Sequence, residues 1–275
     1  MRDLVILMLI TIALAWCADH VAFGPVKHNR RQRLIICTVV IIILLAGFAG
    51  LRTRCNDTGT YRYSYKLLTE KLWEASDKSV GSNPLFNWVN YRLKMHGVST
   101  QNFLMFWAFL TVGCYFIFVH KYSVNYPLTI FLLFVTGCYT FAFAGIKQAA
   151  AVGISVIATM FALKKKWLLF AVGILIATLI HPYSLMYLAV PFMTFKPWTK
   201  ITYWMLAAFI AAGFLLRPLL GTVVNITTLL GEEYTVSSFT GDGVNMFRVL
   251  VCNVPMVLSF LYRKKLFADS SKAEN

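Results

Sequence analysis

The chain has 275 residues, 59% hydrophobic and only 13% charged, with a formal net charge of +15 and a mean hydropathy of +0.67. A soluble domain carries roughly 25% charged residues, so this chain cannot cover a water-facing surface and lipid is its expected solvent. The positive balance does not indicate nucleic-acid binding, because the basic residues sit in short clusters between apolar runs, as orientation signals do.

A spanning helix needs about 20 mostly apolar residues. Nine candidates follow in chain order, near 3–23, 34–50, 101–119, 126–143, 148–163, 167–181, 183–195, 201–216 and 244–262. The first lacks a small-residue cleavage site and reads as a retained helix, not a signal peptide. The seventh is short and is open to a re-entrant reading. No internal repeat stands out. The expected fold class is therefore all-α, a polytopic membrane protein forming a single integral membrane domain over 1–275.

Five short basic loops punctuate these runs: "KHNRRQR", "HKYS", "KKK", "KPWTK" and "YRKK". Short basic loops face the cytoplasm. The N-terminus is then outside, as are the two longer loops, 51–100 and 217–243. Seven of the eleven acidic residues fall in those two loops. Of the six cysteines, Cys17, Cys37, Cys114, Cys138 and Cys252 lie in apolar runs and Cys55 alone lies in a polar segment. With no CxxC and no Cys/His cluster, neither a disulfide framework nor a metal site is indicated. No cofactor is expected.

Basic residues at the outward helix ends are not needed for topology. Arg52 and Arg54 leave the second span in "LRTRCNDTGTYRYSY". Lys147 sits in the turn "FAGIKQAAA", and His181 ends the sixth span in "TLIHPYSL". Arg217 ends the eighth in "LLRPLL", and Arg248 lies just inside the ninth in "VNMFRVLV". Each alone reads most simply as an interfacial anchor. As a set at one membrane face they suit an anionic ligand, and a lipid-linked diphosphate fits, its charge lying at headgroup level.

Asp57 has two open readings. It is a helix cap or Asx turn ahead of "YRYSYKLLTEKLWEA", or a carboxylate that deprotonates or orients an acceptor hydroxyl. Tyr61, Tyr63 and Tyr65 line a sugar site or belong to an interfacial aromatic belt. His181 either caps its helix or handles a phosphate or a proton. "NDT" at 56–58 and "NIT" at 225–227 match the N-glycosylation acceptor pattern, which recurs often by chance.

In this order, an arginine-plus-"NDT..Y" segment after the second span, "IKQAAAVGISVIA" opening a middle span and "ATLIHPYSLMYL" two spans later resemble the EpsG family of Wzy-like polysaccharide polymerases. The resemblance covers most of the chain. It implies a GT-C-like membrane glycosyltransferase at the outer face of a bacterial cytoplasmic membrane; with no carboxylate cluster to suggest a divalent ion, the enzyme is expected to be independent of metal. Its substrate would be an undecaprenyl-diphosphate-linked oligosaccharide, with membrane lipid around it and a flippase and chain-length regulator as pathway partners. Asp57 and His181 would be catalytic. Arg52, Arg54, Tyr61, Lys147, Gln148, Ser184, Arg217 and Arg248 would bind substrate. Two departures stand out: Lys147 replaces a common arginine, and Cys55-Asn56 stands where a glycine is usual. Family members also commonly continue for further spans beyond a ninth.

Two other classes compete. A transporter or flippase of lipid-linked saccharides favours inverted repeats and polar groups at the bilayer midplane, whereas here the polar groups collect at a rim. A membrane acyltransferase would use a rim histidine but leaves the cations without a role.

Overall fold

A computed structural model describes residues 2–20, 28–53, 55, 57–68, 83–193, 198–229 and 246–265. Every regular element among these residues is helical. The chain divides into two units, Met1–Leu188 and Ala189–Asn275.

The first unit is built on α1 (Arg2–His20), α2 (His28–Gly50), α3 (Thr58–Leu67), α4 (Pro84–Met95), α5 (Thr100–Tyr122), α6 (Tyr126–Val135), α7 (Cys138–Ala144), α8 (Ile146–Leu163) and α9 (Trp167–Ile180). Helix α5 is central. It packs against α2 on one side and α8 on the other, with α1 beyond α2 and α9 beyond α8. Helix α6 packs on α1, while the short α3 rests on α5 and α4 on α9.

Small residues make these contacts close. A methyl group added at Gly153 of α8 would lie 3.0 Å from Cys114 Cβ and 3.4 Å from the Thr111 carbonyl oxygen of α5. One added at Gly173 of α9 would lie 2.7 Å from Ala158 Cβ of α8. Around them Ala149, Ala150, Ala151, Ser155 and Ala158 are buried. In lipid, where apolar surface gains nothing by leaving the solvent, such close backbone approach and its dispersion contacts supply the association. Two buried hydroxyls bond within their own helices: Thr11 donates to the Leu7 carbonyl at 2.9 Å and Ser155 to the Ala151 carbonyl at 2.9 Å.

Two helices, α5 and α8, are long and apolar enough to cross a membrane, and up to four segments are if each bent pair counts as one span. Nine spans are thus not all drawn as full-length helices. The 126–143 run is broken into α6 and α7 with a 44° bend, because Gly137 adopts a left-handed conformation (φ 81°) that closes α6. The 183–195 run forms no continuous α-helix. It is a 3₁₀ segment, Pro182–Ala189, followed by the four-residue α10 (Val190–Met193). Pro182 has no amide hydrogen with which to continue α9. The apolar part of α2, Ile35–Gly50, is shorter than a simple span.

The first unit has two distinct ends. At one, Asp19 Oδ2 accepts from the Tyr126 amide at 3.3 Å, at the start of α6. The Lys121 and Lys164 side chains come together at the same end, where Lys121 pushes the Lys164 ammonium below its ordinary pKa by hydrogen bonding and charge repulsion. At the opposite end of α5, Gln101 meets Gly50 and Arg62. The 23 residues of α5 separate these ends by about 35 Å at 1.5 Å per residue.

The second unit contains α10, α11 (Lys200–Leu229) and α12 (Met246–Leu261). Helix α11 is bent by 92° between Lys200–Leu215 and Leu219–Ile226. The sequence places a proline, Pro218, in that break, where its missing amide hydrogen interrupts the ladder. Trp198 stacks edge-on against Phe260, with centroids 5.0 Å apart.

Candidate functional site

The end of α5 that carries Gln101 also gathers most of the residues singled out in the sequence. Helix α2 stops at Gly50, and Arg52 turns back on it. The Nη1 of Arg52 donates to the Ala49 carbonyl, one of the acceptors a helix leaves over at its C-terminus. The Nε donates to Thr58 Oγ1 at 2.9 Å. The guanidinium also lies 5.8 Å from the centre of the Phe143 ring. Its remaining nitrogen, Nη2, is buried with no hydrogen-bond partner among the described residues. Burial pushes the guanidinium below its ordinary pKa, while Cys55, Tyr139 and Tyr61 act in the opposite sense. Arginine nevertheless remains a cation in proteins. The result is a half-buried positive charge whose Nη2 donors are buried without a partner among the described residues.

Thr58 is fully buried and opens α3, its amide donating to the Cys55 carbonyl at 2.9 Å. Asp57 occupies the cap position of α3 but makes no side-chain cap hydrogen bond. Its carboxylate is exposed, beside the segment that holds Arg52. Arg62, one turn further along α3, donates from Nη1 to Gln101 Oε1 at 3.0 Å. Gln101 Nε2 in turn donates to the Gly50 carbonyl at 2.5 Å. This chain of bonds ties α2, α3 and α5 together around Arg52.

The three tyrosines of α3 have different environments. Tyr61 is half-buried and meets the Phe86 ring edge-on at 6.1 Å. Tyr63 is 65% exposed. Tyr65 is buried, stacked on Phe103 at 4.2 Å, and donates to the Val98 carbonyl at 2.9 Å. Burial pushes its phenol pKa up. Tyr65 therefore anchors α3, and Tyr61 is left nearest to Arg52.

Lys147 and Gln148 lie in the first turn of α8, both half-buried. The Gln148 side chain folds over Gly145, so closely that a methyl group added there would sit 2.6 Å from its Oε1. A helix start already carries partial positive charge. A lysine in that turn adds to the charge, an arrangement that suits an anion more than it suits the helix.

His181 follows α9 in extended conformation and is 2% exposed. Its Nδ1 lies 3.3 Å from Asn83 Oδ1, and its ring meets Tyr183 edge-on at 4.9 Å. Ser184 is buried, and its backbone amide donates to the His181 carbonyl at 3.1 Å.

These residues share one apolar floor. Phe86 of α4, Trp107 of α5, Ile146 of α8 and Ile180 of α9 belong to a single buried cluster, with Tyr61 packed against it. Ile146 precedes Lys147 and Ile180 precedes His181, so one core fixes both helix ends. Arg52 reaches the same neighbourhood through Thr58, three residues before Tyr61. Arg54 lies outside the described residues. Arg217 and Arg248 fall in α11 and α12 of the second unit, and their side chains are outside the described set.

Sequence reasoning passed over Thr58, Arg62, Asn83, Gln101 and Tyr139. Asn83 carried a local signal, since asparagine followed by proline marks a helix start, but not its actual contact. Thr58 entered only through the glycosylation pattern. Tyr139, whose hydroxyl donates to the Leu45 carbonyl at 2.8 Å, carried none.

A family model described as the EpsG family matches residues 35–274. No curated protein and no solved structure matches the chain.

Proposed function

The chain belongs to the EpsG family of Wzy-like polymerases, and from that premise we propose that it joins polyprenyl-diphosphate-linked saccharide units at the outer face of the cytoplasmic membrane. A GT-C-like architecture is part of this reading. The observation that carries it is the state of Arg52. A half-buried guanidinium with Nε and Nη1 engaged by the protein, and with Nη2 buried and unbonded among the described residues, is a fixed cation whose hydrogen-bonding capacity the protein leaves partly unspent, which supports an anionic ligand.

In this reaction the acceptor sugar hydroxyl attacks the anomeric carbon of the chain on the donor lipid. The new glycosidic C–O bond forms as the C–O bond to the diphosphate breaks, and the lipid diphosphate departs with the electron pair. Arg52, with Lys147 at the start of α8, offsets the negative charge that builds on the leaving group. Asp57, exposed and not engaged in capping, takes the hydroxyl proton. Tyr61, half-buried beside them, offers a face for a sugar ring. Arg54, Arg217 and Arg248 are further cations of the same reading, as Gln148 and Ser184 are further polar groups. The donor lipid is undecaprenyl diphosphate in this reading, and catalysis needs no metal.

Elongation of a purified lipid-linked repeat unit by the purified protein, resolved by gel or mass, is the test. Arg52→Ala and Lys147→Ala are each expected to abolish most elongation while remaining in the membrane, and Lys147→Arg to retain it. Normal elongation by both alanine variants would remove the cations from the mechanism, and translocation of the lipid without elongation by the wild type would overturn the polymerase reading.

A further inference from the structure

Asn83 occupies the cap position of α4, directly before Pro84, yet its side chain makes no cap hydrogen bond. Its Oδ1 is instead directed to Nδ1 of His181, 98 residues away along the chain, at 3.3 Å. Both residues are buried, Asn83 at 8% and His181 at 2% exposure. Helix α4 packs on α9, which brings the start of one against the end of the other. The two are further fixed by their neighbours, since Phe86 of α4 and Ile180 of α9 belong to one apolar cluster.

An amide oxygen only accepts hydrogen bonds, so the imidazole nitrogen facing it must carry the proton. A neutral imidazole has one N–H and one lone pair. With the hydrogen on Nδ1, the lone pair falls on Nε2 and that nitrogen accepts. The ordinary preference of a free histidine is the opposite tautomer, with hydrogen on Nε2. A neighbouring acceptor that reverses this choice also decides what the ring can do chemically.

We infer that Asn83 is a positioning residue for His181: it holds the imidazole with the proton on Nδ1, so that His181 serves the site as a hydrogen-bond acceptor at Nε2 and not as a neutral N–H donor to phosphate. The inference deepens the polymerase reading and rests on it for the role of His181. The tautomer itself does not depend on that reading. In the resulting division, Arg52 and Lys147 meet the diphosphate, Asp57 takes the hydroxyl proton, and His181 accepts a hydrogen bond at Nε2.

The test uses the full-length protein in lipid nanodiscs with ¹⁵N-labelled histidine, the His181 signals being identified by their loss in His181→Gln. The wild type is expected to show protonated Nδ1 and unprotonated Nε2. Asn83→Ala is expected to shift His181 toward the Nε2–H form, and to lower kcat for elongation by about ten-fold or more with little change in KM. Because Asn83 makes no cap bond, the variant loses no helix cap. Asn83→Asp, which keeps an acceptor oxygen facing the ring, is expected to keep the proton on Nδ1 and to restore kcat. A wild-type spectrum with Nε2–H, or an unchanged tautomer in Asn83→Ala, would overturn the positioning role. An altered tautomer with unchanged kcat would overturn the catalytic consequence. If the wild type does not elongate at all, the polymerase reading fails, while the ¹⁵N result still decides the positioning.

Discussion

Arg52 and Thr58 stand six residues apart, and their side chains close the turn between α2 and α3: Arg52 Nε donates to Thr58 Oγ1 at 2.9 Å. Thr58 is fully buried, so no water replaces that acceptor if it is lost. Thr58→Val keeps the shape and removes the oxygen. A hydrogen bond to a charged group is worth about 1.5–3 kcal/mol. The expected outcome is a fall of about ten-fold or more in kcat/KM for the lipid-linked donor, with Thr58→Ser close to wild type. Steady-state elongation, normalised to protein in the membrane, checks this. Equal rates for Val and Ser variants would show that Arg52 needs no such anchor.

Asp57 separates two roles by their size. Its side chain makes no cap bond, so Asp57→Asn and Asp57→Ala should both leave α3 and the melting behaviour essentially unchanged. Loss of a general base lowers the rate by about 10²–10⁴-fold. Elongation should fall in that range for both variants, with normal abundance and insertion. Wild-type elongation by Asp57→Asn would make the aspartate a bystander and leave His181 as the proton acceptor.

Gly50 governs where α2 ends against α5. A methyl group added there would lie 2.6 Å from Met105 Sδ and 2.8 Å from Met105 Cα. The sulfur is the end of a flexible side chain, but the Cα is backbone and cannot step aside. Gly50→Ala is expected to push the helices apart, destabilising the protein by about 1–3 kcal/mol, the usual cost of overpacking. It should also disturb the Gln101–Gly50 bond and reduce elongation. Thermal unfolding in detergent reads the first effect. An unchanged melting temperature would mean that α2 and α5 do not meet this closely.

Orientation is tested by labelling intact cells with a membrane-impermeant thiol reagent, in a background lacking native cysteines. His96 and Lys164 are both exposed and lie toward opposite ends of the first unit. His96→Cys is expected to label and Lys164→Cys to be protected until the cells are opened. The reverse pattern would place the Arg52 end in the cytoplasm and exclude an outer-face reaction.

Much of this molecule is decided by composition and order along the chain. Too few charges for a water-facing surface make it a membrane protein. The apolar runs gave the helices α1, α5, α8 and α9 to within a few residues, and α2 except for its first six residues, because a 20-residue apolar segment in lipid has few alternatives to helix. Arg52, Asp57, Lys147 and His181 were legible as candidates because polar residues at the ends of apolar runs are conspicuous. What the sequence did not determine is what each of them touches. Asn83 and His181 are 98 residues apart, and no local pattern encodes that meeting; it follows from α4 packing on α9. Thr58 looked like part of a common tripeptide until the fold buried it against Arg52. The break between α6 and α7 and the 3₁₀ turn after His181 also depend on local backbone choices that hydropathy does not register. Helix placement responds to the average character of many residues and survives small errors. A site depends on single atoms brought within about 3 Å, and only the packing of distant helices sets those distances.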